Sequence, residues 1–257
     1  MIATVATLIA SLLIVLTVHE AAHALALRTF GVPISHAGIG LPFPPVWKLP
    51  ARDRMPFTLT FSPWLLGAYV QADSRHEKRI DALPYRDKAW YMNAGVVANL
   101  ILGFAAMAVA SAVNGRLPRA ALLAGLALTC WLARRILAAY VLPAASVPAV
   151  ILVGWALALS WAGGETGAGF VGLVDLVPTD LVGVVAFVGV VSVSVALLNA
   201  LPLYGLDNGK VVDLLLSRWL GERSVSVYRT TGLVLVAASL LLAVGSDVWA
   251  AFAAIAN

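Results

Sequence analysis

Cysteine is nearly absent. Cys130 stands alone, so no disulfide can close within the chain and no CxxC or cysteine-rich metal site exists. It lies in an apolar run and reads as a small buried hydrophobe. Charge is scarce too: 12% of residues are Asp, Glu, Lys or Arg, against about 25% in an ordinary soluble domain. With 61% hydrophobic residues and a mean hydropathy of +0.92, that shortage excludes a conventional soluble fold and points to a polytopic membrane protein. Heptads, solenoid repeats and low-complexity tracts are missing. The net charge of +4 could suggest nucleic acid, but the basic residues cluster between apolar runs, where they read as a topology signal. We therefore expect a lipid bilayer as the surroundings and no nucleic-acid partner.

Histidine is rare as well, yet two of the 4 stand four residues apart in His19-Glu20-Ala21-Ala22-His23. On a helix, positions i and i+4 share a face one turn apart, so both imidazoles can point at one metal ion. Glu20 is offset around the same helix, within reach of a water on that ion. Two His ligands with a Glu general base are the zinc-hydrolase pattern. Composition alone yields the pattern about once in a thousand such chains. Two imidazoles and a carboxylate inside an apolar run are costly unless they act together.

The expected fold class is an all-α polytopic membrane protein, one embedded unit over residues 1–257 with about six transmembrane helices. Residues 1–27 form the first span rather than a cleaved signal, since no Lys or Arg precedes the apolar run. Residues 29–88 form a polar connection. With Arg28 it holds 9 of the 17 Lys and Arg, which makes it cytoplasmic and places both termini outside. Pro42, Pro44, Pro45 and Pro50 argue against a helix there, and alternation at 57–61 and at Gly67-Ala68-Tyr69-Val70 predicts short strands or a hairpin on the membrane surface. His36 and His76 read as solvated loop residues. Residues 89–113 are the second span, with Asn93, Gly95 and Asn99 near its start. Residues 117–133 and 136–162 form an extra transmembrane hairpin, turned at Arg134-Arg135 and bent by Pro143 and Pro148. Residues 181–201 and 231–256 are the fifth and sixth spans, with an amphipathic interfacial segment at 211–220.

Two His ligands leave a catalytic zinc one protein ligand short. The third must reach the depth of His19 and His23, toward the cytoplasmic side. Asp207, at the end of the fifth span, does so. Glu165, Asp175, Asp180 and Asp247 lie on the outer side, and Asp213 and Glu222 face water beyond the break at Pro202. Asp207 also fits a helix N-cap. The chemistry implied is metal-assisted amide hydrolysis with Glu20 as the proton acceptor. Asn199 is the best-placed oxyanion donor, or else satisfies carbonyls freed by Pro202. A helical substrate hides its carbonyls, so it must unwind, and Gly67–Val70 is the expected edge for strand addition.

These residues resemble the site-2 protease family of intramembrane zinc metalloproteases. The likeness rests on HExxH, on Asn199, Pro202, Leu206 and Asp207 as N-x-x-P-x-x-x-L-D, on Ala94, Gly95 and Asn99 as A-G-x-x-x-N, and on Gly67-Ala68-Tyr69-Val70 as G-x-[FY]-V. It implies one zinc held by His19, His23 and Asp207, with Glu20 as base and Asn199 steadying the oxyanion. It places the substrate at Gly67, Ala68, Tyr69, Val70 and Asn99. The expected substrate is a transmembrane protein such as an anti-sigma factor or a membrane-tethered regulator. The chain departs from the family in having Asn208 after the aspartate where Gly is usual, and Val96 where Pro is common. It has no segment for a PDZ or CBS domain. Other readings are a different membrane zincin, a non-catalytic adaptor or chaperone, and a transporter with a proton relay.

Overall fold

The computed structural model describes residues 2–40, 44, 46–52, 56–62, 67–146 and 177–256, with the backbone alone for residues 2, 240 and 242–256. Helix α1 (Ile2–Thr29) carries the HExxH segment and ends a turn beyond it. Gly31 takes φ +65°, the left-handed conformation glycine adopts without penalty. Gly31 N–H then donates to Arg28 O (3.0 Å) and Val32 N–H to Leu27 O (3.1 Å), a Schellman end with its apolar pair Leu27 and Val32 both buried. This stop turns the chain out of α1 immediately after the two histidines.

Four short strands follow: β1 (Ile34–Ile39), β2 (Trp47–Leu49), β3 (Thr58–Phe61) and β4 (Ala68–Ala72), in the order β2-β3-β1-β4. The strands match the alternation in the sequence, but the sheet is more than a hairpin: β1 pairs with β3 in parallel. The registers sort the side chains cleanly. One cross-strand row is Trp47, Phe61, Ile39 and Ala68; the next is Lys48, Thr60, Gly38 and Tyr69. One face is thus apolar and the other polar. Beyond β4, Asp73 accepts from Arg75 N–H (3.0 Å) to cap a single turn at Ser74–His76, and the adjacent Arg75 guanidinium holds its carboxyl down to about 2.

The remaining elements are helical: α2 (Glu77–Asp81), α3 (Tyr85–Val113), α4 (Leu117–Leu132), α5 (Arg134–Ser146), α6 (Leu181–Asn199), α7 (Asp207–Leu216) and α8 (Glu222–Ala256). Helices α1, α3 and α6 are long and apolar enough to cross a membrane; the bent pair α4–α5 would make a fourth. The described residues therefore do not reach the expected six. Residues 147–162 of the expected hairpin lie outside them, as do the side chains of most of the expected sixth span. The sharp bend, 71°, falls at Ala133, beside the turn expected at Arg134-Arg135. Near Pro143 the helix carries a π-turn at Leu137–Val141, because a residue without N–H cannot close the ladder behind it, and Pro148 lies outside the described residues. One further expectation is corrected. Asp213 does not face water: it makes a two-pronged ion pair with Arg229 of α8 (2.8 and 2.9 Å). Helix α7 begins at Asp207, four residues before the amphipathic segment read from the sequence.

Helix α3 is central. Val96 and Val97 pack with Ala138 and Leu142 of α5 and with Ala196 and Ala200, at the end of α6. Leu8 and Val15 of α1 meet Phe187 and Val191 of α6. Small residues set the α3–α6 crossing: a Cβ at Gly103 or at Gly189 would lie 2.9 Å from the other glycine's carbonyl oxygen. We expect Gly189→Val to destabilise the fold by about 1–3 kcal/mol through overpacking, read as a lowered unfolding midpoint in detergent.

Candidate metal centre

Helix α1 brings His19 and His23 to one face, and α7 presents Asp207 to them. The three ligand atoms form a triangle: His19 Nε2 to Asp207 Oδ2 is 2.8 Å, His23 Nε2 to Asp207 Oδ2 is 3.0 Å, and the two Nε2 atoms are 3.3 Å apart. All three residues are buried, with Asp207 only 6% exposed. They are the group among the described residues able to hold a metal ion. A tetrahedral zinc with bonds of about 2.0–2.1 Å separates its ligand atoms by roughly 3.3 Å. The edge between the two histidines is of that length, and the two edges to Asp207 are shorter.

The outer partners test the fit. His23 Nδ1 lies 2.8 Å from the carbonyl oxygen of Tyr91, which can only accept. Nδ1 therefore carries the proton, and the Nε2 lone pair of a neutral imidazole faces the Asp207 oxygen. A proton would relieve one edge of the triangle; a single metal ion relieves all three. On the other ring, the Asn99 amide lies 3.1 Å from His19 Nδ1, and Asn99 Oδ1 is buried with no hydrogen-bond partner among the described residues. An amide turned so that Oδ1 accepts from Nδ1–H settles the ring in the tautomer that frees Nε2 for a metal. The donor set fits a divalent ion.

A stripe of α3 serves both histidines. Tyr91, Gly95 and Asn99 recur every four residues, hence on one face. The Tyr91 carbonyl holds His23, Asn99 holds His19, and Gly95 leaves the room that His19 occupies, since a Cβ there would overlap its imidazole. The A-G-x-x-x-N pattern has this physical content. Lys210, one turn into α7, lies 3.2 Å from Asp207 Oδ1 and so takes the carboxylate oxygen that faces away from the histidines. Among the described residues no hydrogen bond ties down the Glu20 carboxylate, which is half-buried.

The other expected residues lie at varying removes. Asn199 donates from Nδ2 to Val195 O of its own helix (3.1 Å). Ala68, Tyr69 and Val70 lie in β4, an edge strand as expected, with Gly67 just before it; Gly67 O accepts from Gly40 N–H (2.7 Å). Tyr69 points to the polar face, where its hydroxyl meets Thr60 Oγ1 (2.7 Å) beside a hollow of about 280 Å³ that His36 also lines. The structure does not bring His36 or His76 into the triangle. Tyr91, Lys210, Asn93 and Asn208 belong to the surroundings of the site and were not singled out as functional from the sequence. Only Lys210, at i+3 from Asp207 on a helix, could have been read from spacing.

A buried His-His-Asp triangle with a glutamate beside it, set between membrane-length helices, defines a membrane metallohydrolase class of site. The model of peptidase family M50, the site-2 protease family, matches residues 7–244, and the chain belongs to that family. It is thereby a membrane metallopeptidase domain. No curated protein matches the chain.

Substitutions at two positions check the surroundings of the ligands. Asn99→Asp keeps an acceptor for His19 Nδ1–H and is expected to retain bound metal. Asn99→Leu should weaken metal binding about 10- to 100-fold, measured by competition with a chelator. Gly95→Ala, a change that favours an ordinary helix by about 1 kcal/mol, should instead displace His19 and lose the metal while helicity by circular dichroism is kept.

Proposed function

We propose that the chain is a zinc-dependent intramembrane endopeptidase. It hydrolyses a peptide bond within or near the transmembrane segment of a membrane-protein substrate. The observation that carries the reading is the buried triangle of His19, His23 and Asp207 at one end of membrane-length helices. His19 Nε2, His23 Nε2 and Asp207 Oδ2 would hold a zinc ion, which would supply a Lewis acid to polarise a carbonyl and lower the pKa of a water. Glu20, one residue along α1 from His19, accepts the proton of the attacking water and delivers it to the leaving amine nitrogen. Asn99 and the Tyr91 carbonyl keep both imidazoles in the ligating tautomer. Lys210 steadies Asp207 and leaves Oδ2 as its single ligating oxygen.

The substrate helix must unwind to expose its carbonyls, and the edge strand β4 offers a backbone for it to pair with. Trp47 and Leu49, exposed on the apolar face of the sheet, suit contact with the bilayer surface. The basic residues of 28–88 support a multi-pass topology with both termini outside and the site toward the cytoplasmic side. The substrate class this favours is a membrane-tethered regulator, such as an anti-sigma factor, released by regulated proteolysis.

The test is cleavage of transmembrane peptides by the full chain reconstituted in vesicles. Glu20→Gln should lower the rate about 10²- to 10⁴-fold with zinc still bound. Asp207→Ala should lose both zinc and activity. Peptide cleavage unaffected by either change would contradict the proposal.

A further inference from the structure

Helix α5 has a local defect with a consequence at the metal centre. Pro143 has no N–H, so it cannot donate to Ala139 O in the α register or to Ala138 O in the π register. Both carbonyls are buried in the core, where an unpaired acceptor is costly. Side chains from other helices take them: Tyr85 Oη donates to Ala139 O (2.7 Å), and Asn93 Nδ2 donates to Ala138 O (2.9 Å). The second hydrogen of the same Asn93 amide goes to Asn208 Oδ1 (3.1 Å). Asn208 in turn donates to Leu142 O of α5 (3.3 Å) and to Ala200 O (2.8 Å), the carbonyl just past the end of α6. Asn93 and Asn208 are both fully buried. Asn208 is the residue next to Asp207.

We propose that Asn208, bridged to the π-turn of α5 by Asn93, is a positioning residue for the metal ligand Asp207, so that helix α5 is a working part of the metal centre. The inference rests on the metal reading above. Glycine at position 208, usual in the family the chain resembles, has no side chain to make these bonds. Here the ligand-bearing turn is held on three sides, by α3, α5 and the end of α6. A turn so held keeps Asp207 Oδ2 over the histidines, and a turn released from α5 lets it drift. Helix α5, which contributes no ligand, then controls how tightly the ion is kept.

The experiment uses the full chain purified in detergent and loaded with zinc. It reads the rate of zinc release to a chromogenic chelator, together with the visible spectrum of the cobalt-loaded protein. Asn208→Gly and Asn93→Ala should each speed zinc release about tenfold or more and alter the tetrahedral cobalt bands. Asn208→Gln, which keeps the amide, should restore part of the wild-type rate. Asn93→Ala leaves position 208 untouched, so it tests the bridge even if Asn208→Gly fails to fold. A folded variant with a lower melting midpoint but wild-type zinc release and cobalt spectrum would overturn the coupling and leave the metal site standing. A wild-type chain that takes up neither ion would instead overturn the metal reading and this inference with it.

Discussion

Three ligand atoms crowd one point in the interior of this protein, and the groups behind them leave little freedom to move. His23 donates its Nδ1–H to the backbone carbonyl of Tyr91, and His19 lies against Gly95 with Asn99 at its other nitrogen. Asp207 is buried with its second oxygen toward Lys210. A buried carboxylate facing imidazole lone pairs is tolerable only with positive charge between them. The helices that bring these groups together are arranged to meet that requirement. Helix α1 ends in a glycine-dependent turn just past His23, α3 supplies the stripe that orients both rings, and α6 breaks at Pro202 so that α7 can start with Asp207 at its head.

Helix α3 is the part on which most else converges. Its Tyr91, Gly95 and Asn99 face α1, its Gly103 lets α6 approach, and its Asn93 reaches toward α5 and α7. Polar groups in such a core are expensive, and Asn93, Asn99, Ser192 and Asn208 each bond to another element. The C-terminal helix adds a second grip on the same turn: the Tyr228 hydroxyl lies 3.0 Å from Pro202 O and 2.9 Å from Gly209 O, and Arg229 pairs with Asp213. The segment that presents Asp207 is therefore clasped from several directions, as a ligand on a short turn must be if its position is to be fixed.

Much of this was legible in the sequence, for physical reasons. The i, i+4 spacing puts His19 and His23 on one helical face whatever surrounds them, and the cost of a carboxylate at membrane depth singles out Asp207. The alternation of Tyr69 and Val70 reads as a strand because the period of a strand is two. What was hidden depends on tertiary contact. The carbonyl of Tyr91 has no sequence signature, Asn93 is needed because Pro143, far along the chain, leaves the Ala138 carbonyl unpaired, and Asn208 acts through Asn93 and the carbonyls of Leu142 and Ala200. The parallel pairing of β1 with β3 could not be read from two short alternating runs. The pair Arg134-Arg135 marked the turn beside Ala133, but that Pro143 would leave a π-turn at Leu137–Val141 had no local signature. Of the six expected spans the described residues hold three helices of membrane length and one bent pair, because residues 147–162 and most side chains of the sixth span lie outside them.

The central claim is that His19, His23 and Asp207 hold a zinc ion. X-ray absorption at the zinc edge of the purified, zinc-loaded chain addresses it most directly, because it reports the atoms bound to the metal. The account predicts a four-coordinate shell of nitrogen and oxygen at about 2.0–2.1 Å, with the outer scattering of two imidazoles. A sulfur shell at about 2.3 Å, or a shell without imidazole scattering, would place the metal elsewhere and contradict it.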